Sequence, residues 1–120
     1  RETHEEYYKY FSSLIQGRCP TVLYLYGCDY GYGLESGALP AGKYWTYQLG
    51  STPGMERVHV RPLLEGRADY VIVNDYERCL RKGFDDQRIS SYGYTLLCSR
   101  PYYNHKGLLL GNIIFKRRDL

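Results

Sequence analysis

The sequence predicts a small layered α/β domain: a mixed sheet with two central parallel strands, flanking helices and a C-terminal antiparallel hairpin. Three observations lead there. The chain has 120 residues, the length of one domain with one packed core. Two short runs, 21–26 and 68–73, are mostly β-branched, aromatic and apolar, without strict alternation, as interior strands of a helix-covered sheet are. Helix-like patterns lie between them, which fits a right-handed crossover joining parallel strands, and two extended segments close the chain. Residues 1–120 read as a single domain. Because the first residue is Arg1 and not Met, it reads as a piece of a longer protein.

The elements follow in order. Thr3-His4-Glu5-Glu6 has the form of a capping box, and Tyr7, Tyr8, Phe11, Leu14 and Ile15 then make one apolar stripe, so residues 4–16 are expected to be helical, ending at Gly17. Pro20 opens the first core strand, which stops at Gly27. Residues 27–54 hold seven of the 13 glycines, interleaved with Tyr30, Tyr32, Tyr44, Trp45 and Tyr47, a composition suited to an ordered loop. Within it, 43–47 could be a short strand. Pro53 suits the first turn of a helix, and Met55, Val58, Leu63 and Leu64 can share one face. Pro62 removes a backbone bond, so that helix is expected to break there, resume and end at Gly66. After the strand 68–73, Asn74 or Asp75 can cap a short helix running through Leu80, with Gly83 just past its end. Asp85-Asp86 reads as a turn before the closing hairpin, whose strands are expected at 91–99 and 108–116 with 101–107 between them.

Composition removes several functions. The chain is 43% hydrophobic and 24% charged, typical of a folded domain. Its longest nearly unbroken apolar run, 107–115, is far short of the roughly 20 residues of a membrane helix. The 16 Lys and Arg are spread among 13 acids for a net charge of +3, with Lys116-Arg117-Arg118 the only cluster, so no nucleic-acid partner is expected. Cys19, Cys28, Cys79 and Cys98 contain no C-x-x-C and have no His at zinc-finger spacing, which argues against a zinc site or a redox pair. Three complete disulfide pairings and buried free thiols all remain open. His4-Glu5-Glu6-Tyr7-Tyr8 fails the H-E-x-x-H pattern at its fifth position. Gly31-Tyr32-Gly33-Leu34-Glu35-Ser36 puts Ser36 where a dinucleotide cradle needs its third glycine. No nucleophile–base set, metal site or cofactor motif is legible, so no catalytic residue and no cofactor is assigned. Asp29 stands just past the end of the first core strand, where open α/β sheets gather ligands, and Asn74 and Asp75 stand at the equivalent place on the second. For Asp75 a plain capping role competes. The strand-end loop 27–47 is therefore the expected functional surface.

Three segments taken in order, Leu23-Tyr24-Leu25-Tyr26-Gly27-Cys28-Asp29-Tyr30-Gly31-Tyr32, Gly37-Ala38-Leu39-Pro40-Ala41-Gly42-Lys43-Tyr44-Trp45 and Glu65-Gly66-Arg67-Ala68-Asp69-Tyr70-Val71-Ile72-Val73, carry a resemblance. They resemble the soluble C-terminal domain of polytopic membrane glycosyltransferases of the dolichyl-phosphate-mannose mannosyltransferase type, in the C superfamily of glycosyltransferases. The similarity covers residues 20–75 well and the hairpin only in outline. Gly33-Leu34-Glu35-Ser36 and the four cysteines depart from the family pattern.

The resemblance implies a cell-membrane parent protein using a polyprenyl-phosphate sugar as donor. Its acidic catalytic residues would lie in an early loop outside these 120 residues, so none carries over. The domain would sit on the extracytoplasmic side, with its own membrane domain and a glycan or lipid-linked sugar as partners. Asp29, Tyr30, Tyr32, Lys43, Tyr44 and Trp45 are then the candidates for contact with acceptor or substrate, since Tyr and Trp faces suit sugar C–H surfaces and Lys43 could meet a phosphate. The alternative is one lobe of an extracytoplasmic solute-binding module, which Leu63-Leu64-Glu65-Gly66-Arg67-Ala68-Asp69-Tyr70-Val71 also resembles.

Overall fold

The computed structural model describes residues 13, 19–26, 39–42, 53–73, 75–103, 105–107 and 109–120. Their strands are β1 (Thr21–Leu25), β2 (Leu39–Pro40), β3 (Tyr70–Val73), β4 (Tyr94–Tyr103) and β5 (Leu109–Arg117). Their helices are α1 (Pro53–Leu64), α2 (Tyr76–Arg81) and α3 (Asp86–Ser91). The sheet order is β2-β1-β3-β5-β4, with β2, β1 and β3 parallel and β5 and β4 antiparallel. The expected α/β domain with two central parallel strands and a closing hairpin is the observed one. Of the expected helix over 4–16 only Ser13 is described, and it is helical; the short strand over 43–47 lies outside the described residues.

Register explains why both core runs are apolar at consecutive positions from Val22 and from Tyr70 onward. Leu23 and Leu25 pair with Val71 and Val73, which in turn pair with Phe115 and Ile113. Together with Val60 and Leu63 of α1, Cys79 of α2 and Ile89 of α3, they form one buried cluster, so all three helices pack on this face. On the opposite face Val22, Tyr24, Tyr70, Ile72 and Ile114 are each at most 1% exposed. Both faces of the sheet's centre are dry.

Several boundaries differ from expectation for physical reasons. α1 runs unbroken through Pro62. The ring falls in the last turn, and the residue whose carbonyl forgoes its bond, Val58, lies on the exposed side of the helix. Gly66 follows in the left-handed region at φ +65°, and a methyl group there would meet the Tyr92 carbonyl oxygen at 3.0 Å. Asp85-Asp86 is not a bare turn: the Asp85 carboxylate accepts the Arg88 N–H at 2.8 Å and caps α3. β4 starts at Tyr94 rather than 91 and continues through Pro101, which the outermost strand of a sheet tolerates because one side of its backbone makes no ladder bonds. A register shift between Leu96 and Cys98 bends the same edge.

Candidate functional site

In a parallel α/β sheet the carboxyl ends of the strands are where loops can converge on a ligand. Here β1 and β3 finish side by side, Leu25 opposite Val73. The next residue of β1, Tyr26, turns sharply at φ +51°, a left-handed conformation that a bulky side chain adopts only when its surroundings hold it. Its surroundings are well defined. The Tyr26 carbonyl accepts the Asp75 N–H at 3.0 Å, tying the exits of the two strands together. Its hydroxyl donates to Glu56 Oε1 at 2.6 Å, in the first turn of α1. The Arg78 guanidinium lies 5.7 Å from its ring centroid, and the Phe84 ring is tilted against it at 6.1 Å. Glu56 also holds Lys82, whose ammonium is 3.3 Å from Oε1.

This clamp joins β1, α1 and the segment after α2, and it uses residues that sequence patterns did not single out. The available signal was positional: Tyr26 immediately precedes a glycine-rich stretch, and Glu56 lies in the turn opened by Pro53. Burial and the neighbouring Glu56 carboxylate push the Tyr26 phenol far above its usual range. Glu56 moves the other way, held below the ordinary carboxylate value chiefly by the Tyr26 hydroxyl and then by Lys82. At neutral pH the phenol is therefore a fixed donor and the carboxylate a fixed acceptor. The clamp anchors the strand end through these bonds.

His59 is also fixed. It is 4% exposed on α1 and donates from Nε2 to the Tyr24 carbonyl at 2.8 Å, which sets its tautomer. Burial lowers its pKa, keeping the ring neutral. Asp75 accepts the Arg78 N–H at 3.1 Å, so it caps α2 as the capping reading proposed.

Asp29, Tyr30, Tyr32, Lys43, Tyr44 and Trp45 all lie outside the described residues. The described residues flanking them can be placed. The segment with Asp29, Tyr30 and Tyr32 leaves from Tyr26 at the carboxyl end of β1 and rejoins the sheet at Leu39. The segment with Lys43, Tyr44 and Trp45 follows Gly42 and ends at Pro53, at the start of the helix that carries Glu56. The clamp thus sits where one candidate segment begins and the other ends. Comparison with family models, curated proteins and solved structures gives no match. Among the described residues no group of three or more His, Cys, Asp and Glu side chains converges as a metal site would, and no helix is long and apolar enough to cross a membrane.

Proposed function

We propose that this chain is the extracytoplasmic accessory domain of an integral-membrane glycosyltransferase whose donor is a polyprenyl-phosphate sugar. Residues 27–47 would contact the acceptor or cover the active site. One observation carries the reading. The three sequence segments that resemble the family, 23–32, 37–45 and 65–73, supply the three neighbouring parallel strands β1, β2 and β3. Pieces far apart in the chain are thus one structural unit, whose carboxyl end roots the tyrosine-rich segment. The described groups at that end tie the backbone together, and the reading assigns the reactive carboxylates to the membrane part of the parent protein.

The test begins upstream of Arg1. The reading frame should encode about ten apolar segments of bilayer-spanning length, with an acidic pair after the first. In membranes containing that parent, Tyr44→Ala and Trp45→Ala should reduce sugar transfer to the acceptor, while the isolated 120-residue chain should transfer none. A gene that encodes this chain as a free-standing secreted polypeptide would overturn the proposal, and so would turnover of a sugar donor by the chain alone.

A further inference from the structure

We propose that the first two turns of α1 form a latch on the exit of β1 that acid releases. The geometry is a two-point grip. Glu56 and His59 are three positions apart and so share one face of the helix. They reach alternate residues of the strand: Glu56 Oε1 accepts the Tyr26 hydroxyl at 2.6 Å, and His59 Nε2 donates to the Tyr24 carbonyl at 2.8 Å. In residues 53–59 these are the two side chains turned away from solvent, while Pro53, Met55, Arg57 and Val58 are exposed. Further along, Val60, Pro62 and Leu63 are buried, so the second half of α1 is held by apolar packing. The grip of the first half on the strand is made by groups that titrate.

Both groups respond to acid in the same direction. Burial holds His59 below its ordinary value of 6.5, so the neutral ring's contribution is present above 6.5 and is lost as pH falls through the folded-state value. Glu56 is held below 4.5, chiefly by the Tyr26 hydroxyl, so its contribution goes at lower pH still. The charges around the grip do not offset this. Arg78 and Lys82, which face Glu56 from α2 and the residue after it, are cations. The Cys79 thiol near Tyr26, pushed up to about 12 by burial, stays neutral throughout. Residues 39–42 carry no titratable group, and Arg57 and Arg61 of α1 are exposed cations. Among the described residues no carboxylate pairs with the His59 ring, because Glu56 is engaged by Tyr26 and Lys82. A proton arriving at Nδ1 therefore makes a buried cation without a counter-ion.

The latch holds the roots of both candidate segments. Tyr26 keeps φ +51° only while its surroundings fix it. Residues 27–38 start immediately after Tyr26, and residues 43–52 end at Pro53, the first residue of the latch. Release frees both roots together while β1, β3 and β5 stay paired.

Native-state hydrogen exchange of the 120-residue chain tests this. The reporter is the Asp75 N–H, bonded to the Tyr26 carbonyl at 3.0 Å. Its protection relative to the intrinsic exchange rate should fall about tenfold between pH 7 and pH 5. Low urea should hardly change it, whereas amides of β3 should exchange faster as urea rises. His59→Gln keeps a donor for the Tyr24 carbonyl but takes up no proton, and should abolish the loss down to pH 5. Glu56→Gln keeps an acceptor for Tyr26 and should abolish the further loss below pH 4.5. Independently of any variant, the His59 ring followed by NMR should take up its proton only below pH 6.5. Protection indifferent to pH, an acid loss that survives both substitutions, a urea dependence equal to that of β3, or a ring titrating at or above 6.5 each overturn the proposal. No sugar or membrane enters the measurement, so the transferase reading can fail while the latch stands, and the reverse.

Discussion

At the residue scale the most informative side chain is Tyr26, because its conformation is costly and its bonds account for how that cost is met. A left-handed non-glycine residue costs about 1–2 kcal/mol, which a hydroxyl–carboxylate bond of about 1.5 kcal/mol and full burial of the ring can offset. The phenol and Glu56 also make a pH-dependent pair. Glu56 has a folded-state pKa below its ordinary 4.5, so its contribution is present above that value and is lost as pH falls through the folded one. Tyr26→Phe keeps the ring and deletes the bond. It should lower stability by about 1.5 kcal/mol at pH 7. The difference from the parent chain should shrink below pH 4.5, as protonation of Glu56 weakens the bond in the parent while the Phe variant has none to lose. Urea unfolding at a series of pH values measures this, and a difference that stays constant into acid would show that Glu56 is not the partner that matters. At alkaline pH the sign reverses. Burial raises Tyr94, whose hydroxyl donates to the Ala68 carbonyl at 2.7 Å, to about 12, so stability should decline from the ordinary tyrosine value of 10.0 upward.

At the scale of elements, one carboxylate joins the amino ends of β1 and β3 to the carboxyl end of β5. Asp69 accepts the Thr21 N–H at 2.9 Å and its own N–H donates to Thr21 Oγ1 at 3.0 Å, linking β1 to β3. Its other oxygen lies 2.9 Å from Arg117 Nη1, and the Asp69 carbonyl accepts the Arg117 N–H, linking β3 to β5. Asp69→Ala should therefore cost about 2–3 kcal/mol, and Asp69→Asn about 1, since the amide oxygen can still accept from Thr21 while the charge opposite Arg117 is lost. Chemical denaturation with an unchanged m-value would register both, and an alanine variant no weaker than the asparagine one would remove Thr21 from the account. Which elements were legible in the sequence follows from how each is stabilised. β1 and β3 are stabilised by apolar side chains on both faces, and α2 by a side-chain cap at Asp75 and a glycine at φ +85° after it, all of which are written in residue type. β2 is only Leu39 and Pro40, held by backbone bonds to Pro20 and Val22, and no residue pattern announces such pairing. α3 buries only Ile89, too little for a periodic stripe. Tyr26–Glu56 joins residues thirty apart whose meeting depends on the crossover, so nothing local pointed to it.

At the scale of the molecule, the sheet has more buried surface than the described helices can cover. α1, α2 and α3 all pack on the face of Leu23, Val71 and Phe115, yet Val22, Tyr24, Tyr70, Ile72 and Ile114 on the other face are as dry as the core. Two tyrosines and three aliphatic side chains at that level of burial contribute on the order of 10 kcal/mol relative to exposure, more than a typical domain's net stability has to spare. Residues 27–38 hold four glycines, and 43–52 are polar and aromatic with few aliphatic side chains. The stripe Tyr7, Tyr8, Phe11, Leu14 and Ile15, which lies outside the described residues, is an apolar helix face expected from the sequence. Deleting residues 1–16 should consequently leave a chain that aggregates or binds a hydrophobic dye, with far-UV helix signal lost beyond the deleted part. The milder Leu14→Asp should lower the unfolding midpoint while surface changes such as Ser13→Asp do not. Equal melting of the deleted and full-length chains would assign that cover to residues 27–38 and 43–52 instead, and with it give residues 27–47 a structural duty competing with acceptor contact.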